Sequence, residues 1–378
     1  MNKAMKILLS AAFAVTMSGA AMAHHICAYA NDNIFTGGTG PINTVDGYKF
    51  GIGGSTVYLQ PVATNGEGIG GGFFASGLGA LRVSGNDLYV DDAYTNDITH
   101  FVIRPSSCLL TRDNTLYPSG DTGDGSGDAM AAASGKFLYV GSTGDNNIYM
   151  LTIMARGGLS VSVSVATTPA APTSIAVSAD GQTLVAAYAN NQQLCAYPIN
   201  AINGTLGAPN CQNTAGFPAD ISIDPASACV YAGESNPGAS EVVALPLVSG
   251  VLGTATDYIL GPGLNSSAVL VSSDDSHLYI SNQGSAQVTT ANISTGCGLS
   301  YSAGQVVADG TATDSPGQLS QGGGLPFVVT GDYSSVGKPR MGLFRINGNT
   351  LAPYMPGVHR LTGVPNNAPF SVVAIVEE

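Results

Sequence analysis

The chain reads as an all-β protein, a seven-bladed β-propeller of four-stranded antiparallel blades whose first blade is closed by the C-terminal strand. Three observations predict this class. A unit of short apolar strand, polar hairpin and second strand ending in aliphatic-X-aliphatic recurs seven times, its closing aliphatic residue falling at Ile52, Ile103, Ile153, Ile199, Leu247, Ile293 and Ile346. A fixed period of this size is the mark of one supersecondary unit repeated in an array. Turn residues punctuate each period: Gly 50 and Pro 20 are spread along the whole chain, as many short strands require. Finally, each period holds four candidate strands, and four antiparallel strands repeated radially make a propeller blade. A parallel β-solenoid is the rival, but its coils are shorter and lack a four-strand meander.

Residues 1–23 carry the pattern of a secretory leader: Lys3 and Lys6, an apolar stretch from Ile7 to Met17, then Ala21-Met22-Ala23. The apolar run is too short to span a bilayer, and no later segment is long and apolar enough. The expectation is an exported, periplasmic or secreted, single domain over residues 24–378. Within it, residues 170–213 illustrate a blade. Thr173–Val177, Thr183–Tyr188 and Leu194–Ile199 read as strands, and Leu206 opens the fourth. Asp180-Gly181, Asn190-Asn191 and Asn203-Gly204 read as the turns between them, the Asp-Gly and Asn-Gly pairs supplying the positive φ that two-residue hairpins need. His25–Ala30 reads as a second strand and Pro369–Ile375 as a first strand, so the two ends complete one blade and leave few free sheet edges.

Without Lys3 and Lys6, 10 basic residues face 25 acidic ones. That balance disfavours nucleic acid, which is bound through basic faces. Phosphate-loop and dinucleotide fingerprints are absent, since Gly70-Gly71-Gly72 opens no predicted helix. No serine nucleophile elbow occurs. With no Trp, stacking on a sugar falls to tyrosines such as Tyr94 and Tyr333.

The repeats also resemble a known family. Leu88-Tyr89-Val90-Asp91, Leu138-Tyr139-Val140-Gly141 and Leu278-Tyr279-Ile280-Ser281-Asn282, with the frame Pro172 to Gly181, look like YVTN-type repeats. These occur in seven-bladed propellers of the lactonase (6-phosphogluconolactonase-like) family. The resemblance implies the fold strongly. For activity it implies only a range, from cytosolic lactone hydrolases and cycloisomerase-like enzymes to exported proteins without an assigned role. No catalytic motif of the family transfers residue by residue.

Six cysteines in an exported chain predict disulfides. The Asn203-Gly204 hairpin sets Cys195 opposite Cys211. Cys27 and Cys229 sit near the starts of second strands, and Cys108 and Cys297 in the third-to-fourth hairpin of the following blade. Cys27–Cys108 and Cys229–Cys297 would then staple neighbouring blades. No zinc spacing appears.

Ligand sites in propellers lie at the tunnel mouth, a fold-level analogy. The hairpins expected there carry Asp32, Asp91, Asp92, Asp97, Asp145, Glu234 and Asp332, while Asp128 and Asp220 precede innermost strands. Asp121, Asp124 and Asp128 on a glycine-rich loop form a candidate Ca²⁺ site without the EF-hand spacing, against the simpler reading of a solvated loop. Lys338 and Arg340 lie in the hairpin of the seventh repeat, and His359 and Arg360 in the loop beyond its fourth strand. Together they suit a carboxylate or phosphate, with His359 as a general base. His24-His25 at a mature N-terminus would chelate copper if His277 or His100 approached; His100, beside Phe101, reads rather as a packed residue.

Two functions fit. The leading one is a scaffold presenting an acidic upper face to an unknown protein or small-molecule ligand, with Glu234, Tyr94, Tyr333 and Lys338 as contacts. The alternative is a lactone or ester hydrolase at the tunnel mouth, with Arg340 and Arg360, beside Lys338, polarising the carbonyl and His359 or a tunnel carboxylate, Asp128 or Asp220, activating water. No cofactor beyond a possible Ca²⁺ is implied.

Overall fold

In this computed structural model the described residues are 25–31, 43–51, 55–68, 80–121, 129–133, 135–236, 239–261, 266–282, 285, 287–308, 314–321, 327–334, 340–354, 359–360 and 372–376. They form seven antiparallel sheets, each built on a four-strand path. Each blade begins on its innermost strand: Val372–Val376, Leu81–Ser84, Ala129–Ala133, Ser174–Val177, Phe217–Ile223, Ser266–Val271 and Asp314–Gln321, for blades 1 to 7. Blade 1 takes its innermost strand from the far end of the chain, pairing Val372 with Ala30 through Val376 with Ile26. The expected leader lies outside the described residues.

The repeat ruler lands where the period predicts. Ile103, Leu247, Ile293 and Ile346 lie at or near the ends of third strands, and Ile153 and Ile199 follow directly after them. Ile52 falls outside the described residues. Blade 4 shows one boundary shift. Its fourth strand is Asn210–Asn213, not a run from Leu206, which makes only an isolated bridge to Ile199. Pro209, with no N–H, sits just before the ladder resumes. The outermost strand is interrupted in blades 2, 5 and 7, giving each a short fifth segment.

Packing between blades explains the recurring tyrosine. Tyr29, Tyr89 and Tyr139 occupy the same place on the second strands of blades 1 to 3 and are fully buried. Each hydroxyl donates to a backbone carbonyl in the third-to-fourth hairpin of the next blade: Cys108 at 2.8 Å, Gly157 at 2.9 Å and Gly204 at 2.8 Å. The three acceptor residues have φ of 59°, 79° and 73°, a left-handed turn that aims the carbonyl at the tyrosine. Gly157 has no alternative. A Cβ there would lie 2.1 Å from Asp87 Oδ1 and 2.4 Å from His100 Nε2.

All three expected disulfides are present. Cys27–Cys108 and Cys229–Cys297 join neighbouring blades, with Cα separations of 5.4 and 5.6 Å. Cys195–Cys211 links directly opposed residues of blade 4 at 4.0 Å. No described helix is long and apolar enough to cross a membrane.

Candidate active site in the axial channel

The innermost strands surround a cavity of about 240 Å³ on the propeller axis. Its described lining comes from blades 2 to 7 and is mostly small or aliphatic, with Ala131, Ala132 and Ala176 on one side and Val269, Leu270 and Leu319 on another. Two charged groups interrupt this wall, Arg82 of blade 2 and Asp220 of blade 5.

Their heights follow from strand register. Leu81 pairs with Val90 and Ile221 with Ala232, and both partners directly follow the second-strand tyrosine of their blade. Leu81 and Ile221 therefore occupy one layer. Arg82 comes one residue after that layer and Asp220 one residue before it, an axial offset of about 7 Å. The two groups make no direct ion pair among the described residues, but each feels the other's charge across the cavity.

Asp220 is almost fully buried within the innermost strand of blade 5, whereas the sequence placed it just before that strand. Oδ1 accepts from Ser174 Oγ of blade 4 at 2.9 Å, and Oδ2 from Val269 N of blade 6 at 3.3 Å. Burial pushes its pKa up; the Arg82 charge, the Ser174 hydroxyl and the Ile221 and Val269 amides oppose the rise. Ser222, two residues on, accepts from Val271 N at 2.9 Å. Arg82 donates from Nε to the Met130 carbonyl, which fixes the guanidinium against blade 3. Burial lowers its pKa and Asp220 raises it, but a guanidinium keeps its charge.

Several expected site residues turn inward instead of facing solvent. Asp92 is fully buried and accepts from Asn43 Nδ2 at 2.9 Å, Thr64 Oγ1 at 2.8 Å and Thr99 Oγ1 at 2.7 Å. It ties blade 2 to the ends of blade 1. Burial lifts its pKa to about 6, against the pull of those hydrogen bonds. Glu234 is also buried and accepts from Gly216 N at 3.3 Å, clamping the connection into blade 5. Asp145 accepts from Ser142 Oγ at 2.7 Å. Tyr94 sits half-buried in the hairpin of blade 2, its amide bonded to Glu67 O. Asp92, Glu234 and Asp145 thus act as strand-end clamps.

The basic cluster is built differently from its expected form. Arg340 opens the third strand of blade 7, and His359–Arg360 form a short strand paired to it, not a loop. Arg340 faces Arg360 and Met341 faces His359. The fourth strand of this blade is split, Thr350–Pro353 pairing with the far half of the third strand, so a second segment is free to take up the near half. These backbones lie on the outer two strands, whereas Asp220 lines the channel. Asp32, Asp124, Asp128 and Lys338 lie outside the described residues, as do the side chains of Arg340, His359, Arg360, Asp332 and Tyr333. Asp121 is buried, with its amide 3.4 Å from Ser119 Oγ.

Of the histidines proposed for copper, His24 lies outside the described residues, and the other three are engaged elsewhere. His100 Nε2 lies 2.8 Å from Asp87 Oδ1, and its ring stacks on Tyr89. His277 Nδ1 lies 2.5 Å from Ser276 Oγ. His25 Nε2 contacts the Pro105 carbonyl at 2.9 Å. His25, Cys27 and Cys108 converge, but both sulfurs are spent in the disulfide.

Arg82 escaped the sequence reading. Its signal was present: at the matching place the other described innermost strands carry Val373, Ala131, Ala176, Ser222, Leu270 and Ser320, and only blade 2 carries a charge.

Comparison with known proteins agrees with this architecture. Residues 85–225 match the family described as lactonase, 7-bladed beta-propeller, which bears out the resemblance read from the repeats. A Bacteroides fragilis protein designated a candidate 6-phosphogluconolactonase superposes with a TM-score of 0.69 at 14% identity, covering 94% of this chain and 98% of its own. The Pseudomonas aeruginosa periplasmic gluconolactonase gives 0.66 at 16% identity, covering 93% and 99%. A Sulfolobus tokodaii protein described as a hypothetical selenium-binding protein gives 0.64 at 11% identity, covering 93% and 92%. At such identities the likeness defines the fold alone. No curated protein matches the chain in sequence.

Proposed function

We propose that this protein hydrolyses a lactone or related ester in its axial channel. The observation that carries the reading is one cavity holding both a fixed guanidinium and a carboxylate of raised proton affinity. The lactonase-family match favours this hydrolase over a binding scaffold. Asp220, as its anion, takes a proton from water as the water oxygen bonds to the carbonyl carbon. Arg82 stabilises the negative charge that forms on the carbonyl oxygen. When the intermediate collapses, the ring C–O bond breaks and the departing oxygen takes the proton from Asp220. The product is a hydroxycarboxylic acid, which ionises to the hydroxycarboxylate and releases one proton to solvent, and no reactant besides water is consumed.

A raised pKa suits a base working near neutral pH. The rate should fall on the acid side with a midpoint above the ordinary carboxylate range. The test is a pH-stat assay of the purified protein against five- and six-membered lactones. Asp220→Asn should lower kcat/KM by about 10²–10⁴-fold and abolish the acid limb. Arg82→Gln should lower it by about 10²–10³-fold. Activity that survives both substitutions would defeat this assignment, and so would the absence of turnover on every lactone.

The same reading places the mature protein outside the cytoplasm. The leader pattern of residues 1–23 supports export, and three disulfides are compatible with an oxidising compartment. Amino-terminal sequencing of the exported protein tests it, with His24 as the expected first residue.

A further inference from the structure

Arg82 carries a charge that the protein leaves largely unmatched. Its Nε is spent on the Met130 carbonyl, and its terminal nitrogens have no hydrogen-bond or ion-pair partner among the described residues. Asp220 reaches it only through space. A half-buried guanidinium in the wall of a cavity gains from an anion brought to its free end. With Nε occupied, that free end is the fork of the two terminal nitrogens, whose spacing suits the two oxygens of a carboxylate.

The rest of the cavity narrows the choice of anion. Val83, Ala131, Ala132, Ala176, Leu270 and Leu319 bring no second cation. Asp220 contributes a negative charge to the same space, so a ligand with two charges is repelled. Ser222 retains a hydroxyl proton to donate, since its oxygen accepts from Val271 N. The ligand is therefore singly charged at one end and hydroxylated along its length.

We propose that the axial channel is a receptor for a small hydroxycarboxylate monoanion, held end-on by Arg82 with its hydroxyl groups against Asp220 and Ser222. This deepens the hydrolase reading and rests on it for the source of the ligand: the product of lactone opening is such an anion, so it stays where it forms and competes with substrate.

Isothermal titration of the purified full-length mature protein at pH 8, with lactate, gluconate, propionate and phosphate as separate probes, tests this. Lactate and gluconate should bind one to one, and phosphate, then a dianion, about tenfold more weakly or worse. Arg82→Gln should weaken both hydroxycarboxylates about tenfold or more. Asp220→Asn should bring phosphate level with lactate. The proposal falls if the wild-type protein binds no carboxylate at millimolar concentration, if phosphate binds as well as lactate, or if Arg82→Gln binds unchanged. Should Arg82→Gln not fold by circular dichroism, Arg82→Lys, which keeps charge but loses the fork, and Asp220→Asn carry the test. If phosphate remains as weak on Asp220→Asn as on wild type, the proposal fails. Hydroxycarboxylate binding without lactone turnover would sink the hydrolase and leave the receptor. Turnover without such binding would sink the receptor alone.

Discussion

Asp92 offers a quantitative handle on how this propeller holds its carboxylates. Its side chain is fully enclosed between blades 1 and 2, and its pKa is lifted from 3.8 to about 6. Between those values the folded protein keeps a proton that the unfolded chain has released. Stability must then fall as pH rises through this window. The shift corresponds to about 3 kcal/mol. Asparagine cannot ionise, so Asp92→Asn removes the pH term while altering hydrogen bonds by an amount independent of pH. The gap in stability between wild type and variant should therefore move by about 3 kcal/mol in favour of the variant from pH 3.5 to pH 7.5. For a domain of this size, at about 2.1 cal/mol/K per residue, that is a relative change in Tm of about 4 °C. Thermal unfolding of both proteins by circular dichroism across that range provides the comparison. Common titrations cancel in the difference of the two curves. Parallel Tm profiles would refute the claim that burial outweighs the three hydrogen bonds from Asn43, Thr64 and Thr99.

Other outcomes follow from the packing. Replacing both Cys27 and Cys108 by alanine opens a link spanning 81 residues and should cost about 4.5 kcal/mol, against about 3 kcal/mol for the 16-residue link Cys195–Cys211; chemical denaturation of the two double variants would contradict this ranking if Cys195–Cys211 proved the costlier loss. Deleting residues 366–378 strips the innermost strand from blade 1, exposes the Ile26–Ala30 edge, and should cost about 5 kcal/mol at about 1 kcal/mol for each of its five paired residues; an unchanged Tm would mean that the ring does not depend on this closure. Gly157→Ala combines a left-handed φ of 79° with a Cβ 2.1 Å from Asp87, so a loss of at least about 2 kcal/mol is expected, and an unaltered melting curve would show that the Tyr89 lock tolerates displacement.

Much of the fold was legible because a propeller repeats its own instructions. One strand pattern, read seven times, places aliphatic residues at third-strand ends and tyrosines between blades. Half-cystine pairing was legible for the same reason: once strand order is known, Cys27 and Cys108 must lie on one face. Boundaries were less so. Leu206 has the side chain of a strand residue, but the ladder resumes only after Pro209. His359 and Arg360 read as loop because nothing local announces that a split fourth strand leaves room for them beside Arg340.

The candidate site divides along the same line. Asp220 was visible as a carboxylate near an innermost strand. Arg82 was not singled out, because its role exists only against residues more than a hundred positions away. Acidic hairpin residues such as Asp92 and Glu234 looked like a charged surface, since sequence gives charge without burial.

The amino-acid sequence by itself determined the blade, its period, its cross-links and the negative charge of the chain, because these depend on neighbours a few residues apart or on one rule applied repeatedly. Only the tertiary structure decided which charges share a space. Closing the ring brings Arg82 of blade 2 and Asp220 of blade 5 to one cavity, two layers apart. That distance is a property of strand register and ring closure, which no local pattern encodes.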